Sequence, residues 1–564
     1  MKRASSFARH STCDHGRCTV SDAVSVIVEK PIRKRKRVDE EQHEARRLLI
    51  QKLSSKTRSL KPWEELSSNS ERWERLQLLH LCCTALAMPS TIVQSTQQKT
   101  PAAALAHLDN KILKQIRDIV PVPSFNTIAA VREQLADAAG MRTASFTVDE
   151  QQFTVVTDPL RCVQVLTQHS RVFVIGGDRG GGSTKLGVTY TTRSGIRSFV
   201  PLVTTSGKDD HPSFSLLNRP AAQLGFAFTM DTAAHIDPPL HTYQAALQWL
   251  VDLYEMLLNG DMPCVNAVCG LSAPSATYPC AFCTVHLRSL LEKSGPRTDE
   301  QLQLNIAALL EYPALAGTPT VLSQKYVPFL KVPAGRIVPF PLHIVLGFAD
   351  LIITEVYAAW VGISFIRERM QQVQRRPIGT WAPGVSEVFS LNGPQLQRWL
   401  KDDHCSAVAE RTQHLIDTLP RSITFRVDEK PIFTSYLRPH TATPTCISIL
   451  SNWMTSLFET LLHRKAWSEA DVSSFDELQK EIWEHWESVA GRPPTPKIHA
   501  LIHIAPFARR HGAVGLYSES EIESSHGESN RAMETHKNMT QNPAERMRRA
   551  HVSVLLKRLH SSRR

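Results

Sequence analysis

An α/β fold, a mixed sheet flanked by helices and interrupted by a long helical insertion, is what this sequence encodes on three grounds. Runs rich in β-branched and aromatic residues recur from Ser145 to Val156, Arg171 to Gly177, Lys185 to Thr192 and Phe199 to Thr204. A helical run from Thr242 to Leu258 follows them, and after about residue 285 the pattern is mainly helical to the end. The 564 residues suffice for roughly three or four domains or equally for a single large α/β core with inserted helices, and 42% hydrophobic residues supply a sizeable core.

Residues 1–45 have the composition of a disordered basic tail, with the cluster Arg33-Lys34-Arg35-Lys36-Arg37. Such a run fits a nuclear address or a non-specific nucleic-acid contact, and a solvated tail is the plain alternative. Cys13, His15 and Cys18 lie close together there without a second ligand pair nearby. Residues 46–143 form a helical region, either DNA-binding or dimerising, with runs at Glu44 to Lys52, Glu71 to Leu86, Ala102 to Val120 and Thr127 to Ala139. The first part of the sheet domain is expected over 144–285, the helical insertion over 286–510, and a closing pair of helices over 511–564.

The net charge of +11 favours anionic partners. Eleven cysteines are too few and too irregular for a disulfide framework, so reduced thiols and metal ligation are expected. No N-terminal apolar stretch suggests secretion. The longest apolar stretch, Ile337 to Ile366, is interrupted by His343, Asp350 and Glu355 and reads as core rather than as a membrane span.

Within the sheet region, RVFVIGGDRGGGSTKLGV (171–188) reads as a buried strand that delivers one acid, Asp178, to its end and turns at glycines. A carboxylate presented by a rigid strand suits a metal ion; a hairpin with a solvated Asp is the alternative. A nucleotide loop is disfavoured, because GDRGGGSTK lacks the spacing of G-x-x-x-x-G-K-[ST]. Further on, Asp261 follows Gly260, and Cys280 and Cys283 have the spacing to grip one Zn²⁺ from a single turn. His499 and His503, four apart, share a face if helical and supply two nitrogens to complete a Cys₂His₂ site. Glu519, Glu521 and Glu523 follow, with Glu519 and Glu523 on one helix face. Two Asp and one Glu brought together would hold two Mg²⁺ ions for phosphoryl transfer, but Asp209, Asp210, Asp231 and Asp237 compete for the same roles.

The order of these motifs resembles the catalytic core of the V(D)J recombinase and the Transib-type transposases, members of the RNase H-like transposases with a DDE triad. GGDRGGGSTKLGV is similar to the family's Gly-Gly-Asp block. NGDMPCVNAVCGLSAPSATYPCAFC is similar to the block carrying the second Asp and the zinc cysteines, FPLHIVLGFAD to the Leu-His block, and the string around His499 and His503 to the zinc histidines and the closing glutamate. The resemblance covers roughly residues 120–560.

It implies an RNase H-like sheet with a helical, zinc-containing insertion. Asp178, Asp261 and Glu523 would be the catalytic acids, with Glu519 in reserve, holding two Mg²⁺ or Mn²⁺ ions. Cys280, Cys283, His499 and His503 would hold one structural Zn²⁺. The implied activity is cleavage and strand transfer of double-stranded DNA, at element ends and target, by a nuclear homodimer without a membrane partner. Lys185, Arg509, Arg510, Arg546, Arg548, Arg549, Lys557 and Arg558 are the expected phosphate contacts. A nuclear DNA-binding protein that descends from a transposase and has lost catalysis is the rival reading. The segment LVDLYEMLLNGD before Asp261 reads as helix.

Overall fold

The computed structural model describes residues 125–167, 170–219, 240–374, 391–418, 443–536 and 542–562, single positions within these stretches apart, and four positions before 125. The basic cluster, the CDHGRC stretch, the helical runs at 44–52 and 102–120, most of that at 71–86, and Asp231 and Asp237 lie outside the described residues.

Helix α1 (Phe125–Ala138) leads into β1 (Thr143–Val148) and β2 (Gln151–Val156). The single strand expected over 145–156 is therefore a hairpin. Its turn is Asp149-Glu150, with φ of 46° and 65°, the left-handed pair that matches strand twist in a two-residue connection. No Asn-Gly or Asp-Gly marks it, which is why the run reads as continuous. Helix α2 (Pro159–Thr167) buries Leu160, Cys162, Val163 and Leu166.

Three antiparallel strands follow: β3 (Ser170–Gly180), β4 (Ser183–Thr192) and β5 (Arg197–Thr205). Every residue of β5 is buried, as a strand covered on both faces requires. The stretch around Asp178 is thus a hairpin, with Asp178 directly opposite Lys185, and no helix follows its turn. That removes the strand–loop–helix context a nucleotide loop needs.

Short helix α3 (His211–Ser215) is capped by Asp210, whose Oδ1 accepts the Ser213 N–H at 3.0 Å. Helix α4 (Tyr243–Leu253) ends earlier than the run to Leu258 predicts. The chain turns at Glu255, where φ is 46°, and Leu257–Gly260 becomes β6, parallel to β3 with Gly177 opposite Gly260. The Leu-Leu pair fits either period, and the free edge of β3 decides it. The six strands lie in the order β1-β2-β5-β4-β3-β6. A Cβ on Gly176 would come within 2.4 Å of the Asn259 carbonyl oxygen, so glycine there permits the β3–β6 approach. Gly176 thus makes room for neighbouring protein.

Helix α5 (Met262–Val268) starts at Asp261. The helical part then runs through α6 (Asp299–Glu311), α7 (Pro341–Leu351, continued by a π-helical turn over Ile352–Tyr357 and by Ala358–Val361), α8 (Ile363–Gln374), α9 (Gly393–Lys401), α10 (His404–Thr418), α11 (Pro444–Leu461) and α12 (Glu469–Ala490). It closes with α13 (Pro496–His499), a 3₁₀ turn at Ala500–His503, α14 (Ile504–His511), α15 (Ser520–Thr535) and α16 (Pro543–Ser562).

Helices α15 and α16 return to the sheet: the Tyr190 hydroxyl donates to the Arg558 carbonyl at 2.8 Å, and Thr204 Oγ1 lies 2.8 Å from His551 Nδ1. One apolar cluster joins the sheet to the insertion, from Val174 through Phe348 to Trp486. The stretch 337–366 is part of this core, and among the described residues no helix is long and apolar enough to cross a membrane.

Candidate functional site

Two groups of metal-ligating side chains lie where the sheet meets the returning C-terminal segments. The first is built from carboxylates. Asp178 sits two residues before the end of β3, buried to 3% exposure, with Oδ1 accepting the Arg179 N–H at 2.6 Å. Asp261 follows β6, the neighbouring parallel strand, so both acids leave the same edge of the sheet. Asp209 joins them from the loop after β5, because its neighbour Asp210 is occupied in capping α3. Single oxygens of Asp178, Asp209 and Asp261 lie within 4.8 Å of one another, and the same holds for ligand atoms of Asp178, Glu523 and His526. Asp178 belongs to both sets.

Glu523 reaches Asp178 from the first turn of α15 and is the more open of the two, its side chain 42% exposed against 4% for Asp178. Crowding of acids in a poorly solvated place disfavours their charged forms. Burial raises the Asp178 carboxyl above its usual range. Burial and the Asp178 charge push Asp261 up to about 7, and the same two causes push Glu523 up to about 7. A proton shared between Asp178 and Glu523 relieves part of the repulsion, and a divalent cation would relieve all of it.

Glu519 is a different kind of acid. It is fully buried, and its Oε2 accepts the Leu342 N–H at the start of α7 at 3.0 Å. Burial raises its carboxyl well above the usual range. The reserve candidate therefore docks a helix, while Glu523 faces Asp178. Glu521 turns away to Arg464 at 2.6 Å.

Two histidines complete the surroundings. His343, in the first turn of α7, places Nε2 3.9 Å from Asp178 and 3.7 Å from Glu523. Burial, with the Lys497 charge, holds it down to about 3, so it is neutral at pH 7. His526 lies one turn beyond Glu523 on α15, with Nε2 3.5 Å from Asp178 Oδ2 and Nδ1 2.7 Å from the Nζ of Lys185. Burial and the Lys185 charge lower it to about 4. Lys185 is itself buried and held down to about 8 by desolvation.

The second group is Cys280, Cys283, His499 and His503, with ligand atoms within 4.8 Å of one another. Cys280 Sγ lies 3.3 Å from His503 Nε2, and Cys283 Sγ 3.2 Å from His499 Nε2. Bonds of about 2.3 Å to sulfur and 2.0–2.1 Å to nitrogen place S and N about 3.5 Å apart around one tetrahedral ion, so the donor set fits zinc. His499 Nδ1 donates to the Leu290 carbonyl at 2.7 Å, which leaves Nε2 free to ligate. Arg297 Nε donates to the Cys280 carbonyl at 2.7 Å. The Cys280 hydrogen bond holds Cys283 far below the usual thiol range, and burial raises Cys280. One thiol proton is thus shared by the pair. The histidines do not share an α-helical face as their spacing predicts. A 3₁₀ turn, with fewer residues per turn, separates them, and the rings meet edge to face at 5.3 Å.

Each of the expected phosphate contacts meets a protein group in the structure. Lys185 is buried beneath His526. Arg509 pairs with Asp476 and Glu469, Arg548 with Glu545 and Glu133, Arg549 with Glu545, and both Lys557 and Arg558 with Glu528. Arg546 donates to the Met533 carbonyl at 3.1 Å, and Arg510 lies across Gly335. These cations hold the C-terminal segments on the fold.

Sequence reasoning left Asp209 as one acid among several, gave His343 no role, and missed His526. Only His526 carries a usable signal, its spacing of three from Glu523. No family model matches the chain, and no curated protein matches it.

Proposed function

We propose that this chain is a DDE-type DNA transposase or recombinase with an RNase H-like core, cleaving DNA and joining strands by two-metal phosphoryl transfer. The observation that carries the reading is Asp178 as the shared member of two ligand sets. A carboxylate in that position has one oxygen for each of two ions, which is what a two-metal centre asks of its central acid. Asp261 and Asp209 would complete one ion's ligands and Glu523 the other's, with Mg²⁺ or Mn²⁺ suited to this oxygen donor set. Asp209 extends the triad to four acids.

Two such ions supply activation of the attacking oxygen, from water or a 3′-hydroxyl, and charge stabilisation at the leaving oxygen. The chain's own residues do the rest. Strands β3 and β6 fix two acids on rigid backbone. The 42% exposure of the Glu523 side chain leaves that flank open to a bulky strand. Neutral His343, within 4 Å of Asp178 and Glu523, lies at hand to donate to a phosphoryl oxygen.

The Cys280, Cys283, His499 and His503 set would hold one structural Zn²⁺, pinning the end of the helical insertion to the sheet domain. The basic cluster at 33–37 supports a nuclear site of action. Double-stranded DNA and a second copy of the chain are the proposed partners.

The test is incubation of the purified full chain with candidate terminal repeats and Mn²⁺. Nicking with strand transfer is expected, and its loss in Asp178→Ala. Nicking that persists unchanged in that variant overturns the assignment.

A further inference from the structure

Lys185 is fully buried, and a buried ammonium needs a partner. It stands directly across the β3–β4 ladder from Asp178, where a cross-strand ion pair would be the ordinary outcome. The structure places a histidine ring between them instead. Lys185 Nζ lies 2.7 Å from His526 Nδ1 and 3.3 Å from Ser183 Oγ, while His526 Nε2 makes no hydrogen bond and has Asp178 Oδ2 3.5 Å away. The slot for the ring is cut by Gly180, where a Cβ would meet the imidazole at 2.5 Å.

We infer that His526 is a positioning residue for Asp178, with its tautomer set by Lys185. An ammonium has three donors and no lone pair, so the imidazole nitrogen facing it must accept. Nδ1 is then bare, and the single ring proton resides on Nε2, pointing at Asp178. In that state Nε2 cannot ligate a cation. It is left to donate to the Asp178 oxygen 3.5 Å away and so to fix the carboxylate's plane, the outer-sphere role that partners of metal-binding carboxylates play. Although His526 sits in a ligand set with Asp178 and Glu523, only the two carboxylates are ligands. The inference rests on the proposed two-metal reading for what Asp178 does, but its geometric part does not.

Histidine-selective ¹⁵N labelling of the metal-free full chain tests the tautomer directly, with His526 assigned by its absence in His526→Gln. The expected state is Nε2 protonated and Nδ1 bare, becoming a mixture in Lys185→Met. A proton on Nδ1 in the wild type, or loss of the Nε2 proton when Mg²⁺ is added, overturns the inference.

Calorimetric titration with Mn²⁺ tests the positioning. His526→Ala weakens binding about 10-fold, and His526→Gln, whose amide N–H replaces Nε2–H, restores it to within about threefold. Equal weakening in both variants, or none in either, sinks the role. If the wild type takes up no Mn²⁺, it is the proposed function that fails, and the metal-free tautomer decides this inference alone.

Discussion

The carboxylate cluster and the Cys/His cluster are assembled in the same way, yet their chemistry differs at every point. Each joins residues from the part of the chain before residue 285 to a segment near the C-terminus. The Cys/His set is closed: Cys280, Cys283 and His499 are buried, the outer nitrogen of His499 is tied to Leu290, and Arg297 braces the cysteine loop. The Cys280 hydrogen bond lowers the Cys283 thiol from its usual range, toward the thiolate that a metal requires. The carboxylate set is half open, and its acids are held above their usual range by burial and by one another. Under the proposed reading, the set held ready and sealed would serve folding, and the one that stores repulsion and stays accessible would serve turnover.

The largest effect that would break this contrast is loss of the closed set. Wild-type protein is expected to carry about one equivalent of zinc, and Cys280→Ser to lose it with at least about 4 kcal/mol of stability, since ligand binding here is folding energy. Elemental analysis and denaturant unfolding measure both, and unchanged zinc would remove the comparison's first half. Next comes Asp178→Asn, which is expected to lower DNA cleavage by at least about 10³-fold, on the order of 4 kcal/mol of barrier. The same variant should unfold no earlier than wild type, and about 1 kcal/mol later, because it removes a buried repulsive charge. A fall in stability would mean that Asp178 is structural.

The site was legible where one residue's chemistry is local, and illegible where tertiary pairing decides. Asp178, Cys280 and Cys283 stand out because glycine-flanked acid and C-x-x-C spacing are written into neighbouring residues. Glu523 and Glu519 cannot be separated that way, since their spacing puts both on one helix face, and only tertiary contacts, the Leu342 N–H on Glu519 and Asp178 beside Glu523, distinguish them. The strand Leu257–Gly260 was hidden by a Leu-rich run that fits both periods until β3 offers its edge. The cations of α16 read as a DNA-binding face because their partners, Glu133 and Glu528, are remote in sequence. The mixed sheet and the helical end were readable from periodicity alone.

A smaller effect separates the clusters by pH. Asp261 and Glu523 have ordinary values of 3.8 and 4.5 but are pushed up to about 7 here. Between those limits the folded chain holds protons that the unfolded chain has released, so metal-free stability falls as pH rises from about 4 to 7 and then levels off. A divalent cation replaces those protons, so the gain in melting temperature from Mn²⁺ should at least about double between pH 5.5 and pH 8. Zinc content should stay constant over the same window, because a thiol that coordinates the ion is deprotonated by it. A Mn²⁺ effect that is flat with pH would mean that the acids do not compete for protons and cation.

The smallest effect is the sharpest on the identity of the third acid. Glu519 is fully buried and gives Leu342 an acceptor at 3.0 Å, with its other oxygen unpartnered. Burial raises that carboxyl well above its usual range, and glutamine reproduces its carbonyl acceptor. Glu519→Gln is therefore expected to change stability by less than about 1 kcal/mol and cleavage by less than about threefold. Glu523→Gln, which takes an oxygen ligand from the open cluster, should lower cleavage by at least about 100-fold with little change in melting. Reversal of that order in a cleavage assay would move the third ligand to Glu519 and require the start of α7 to release it.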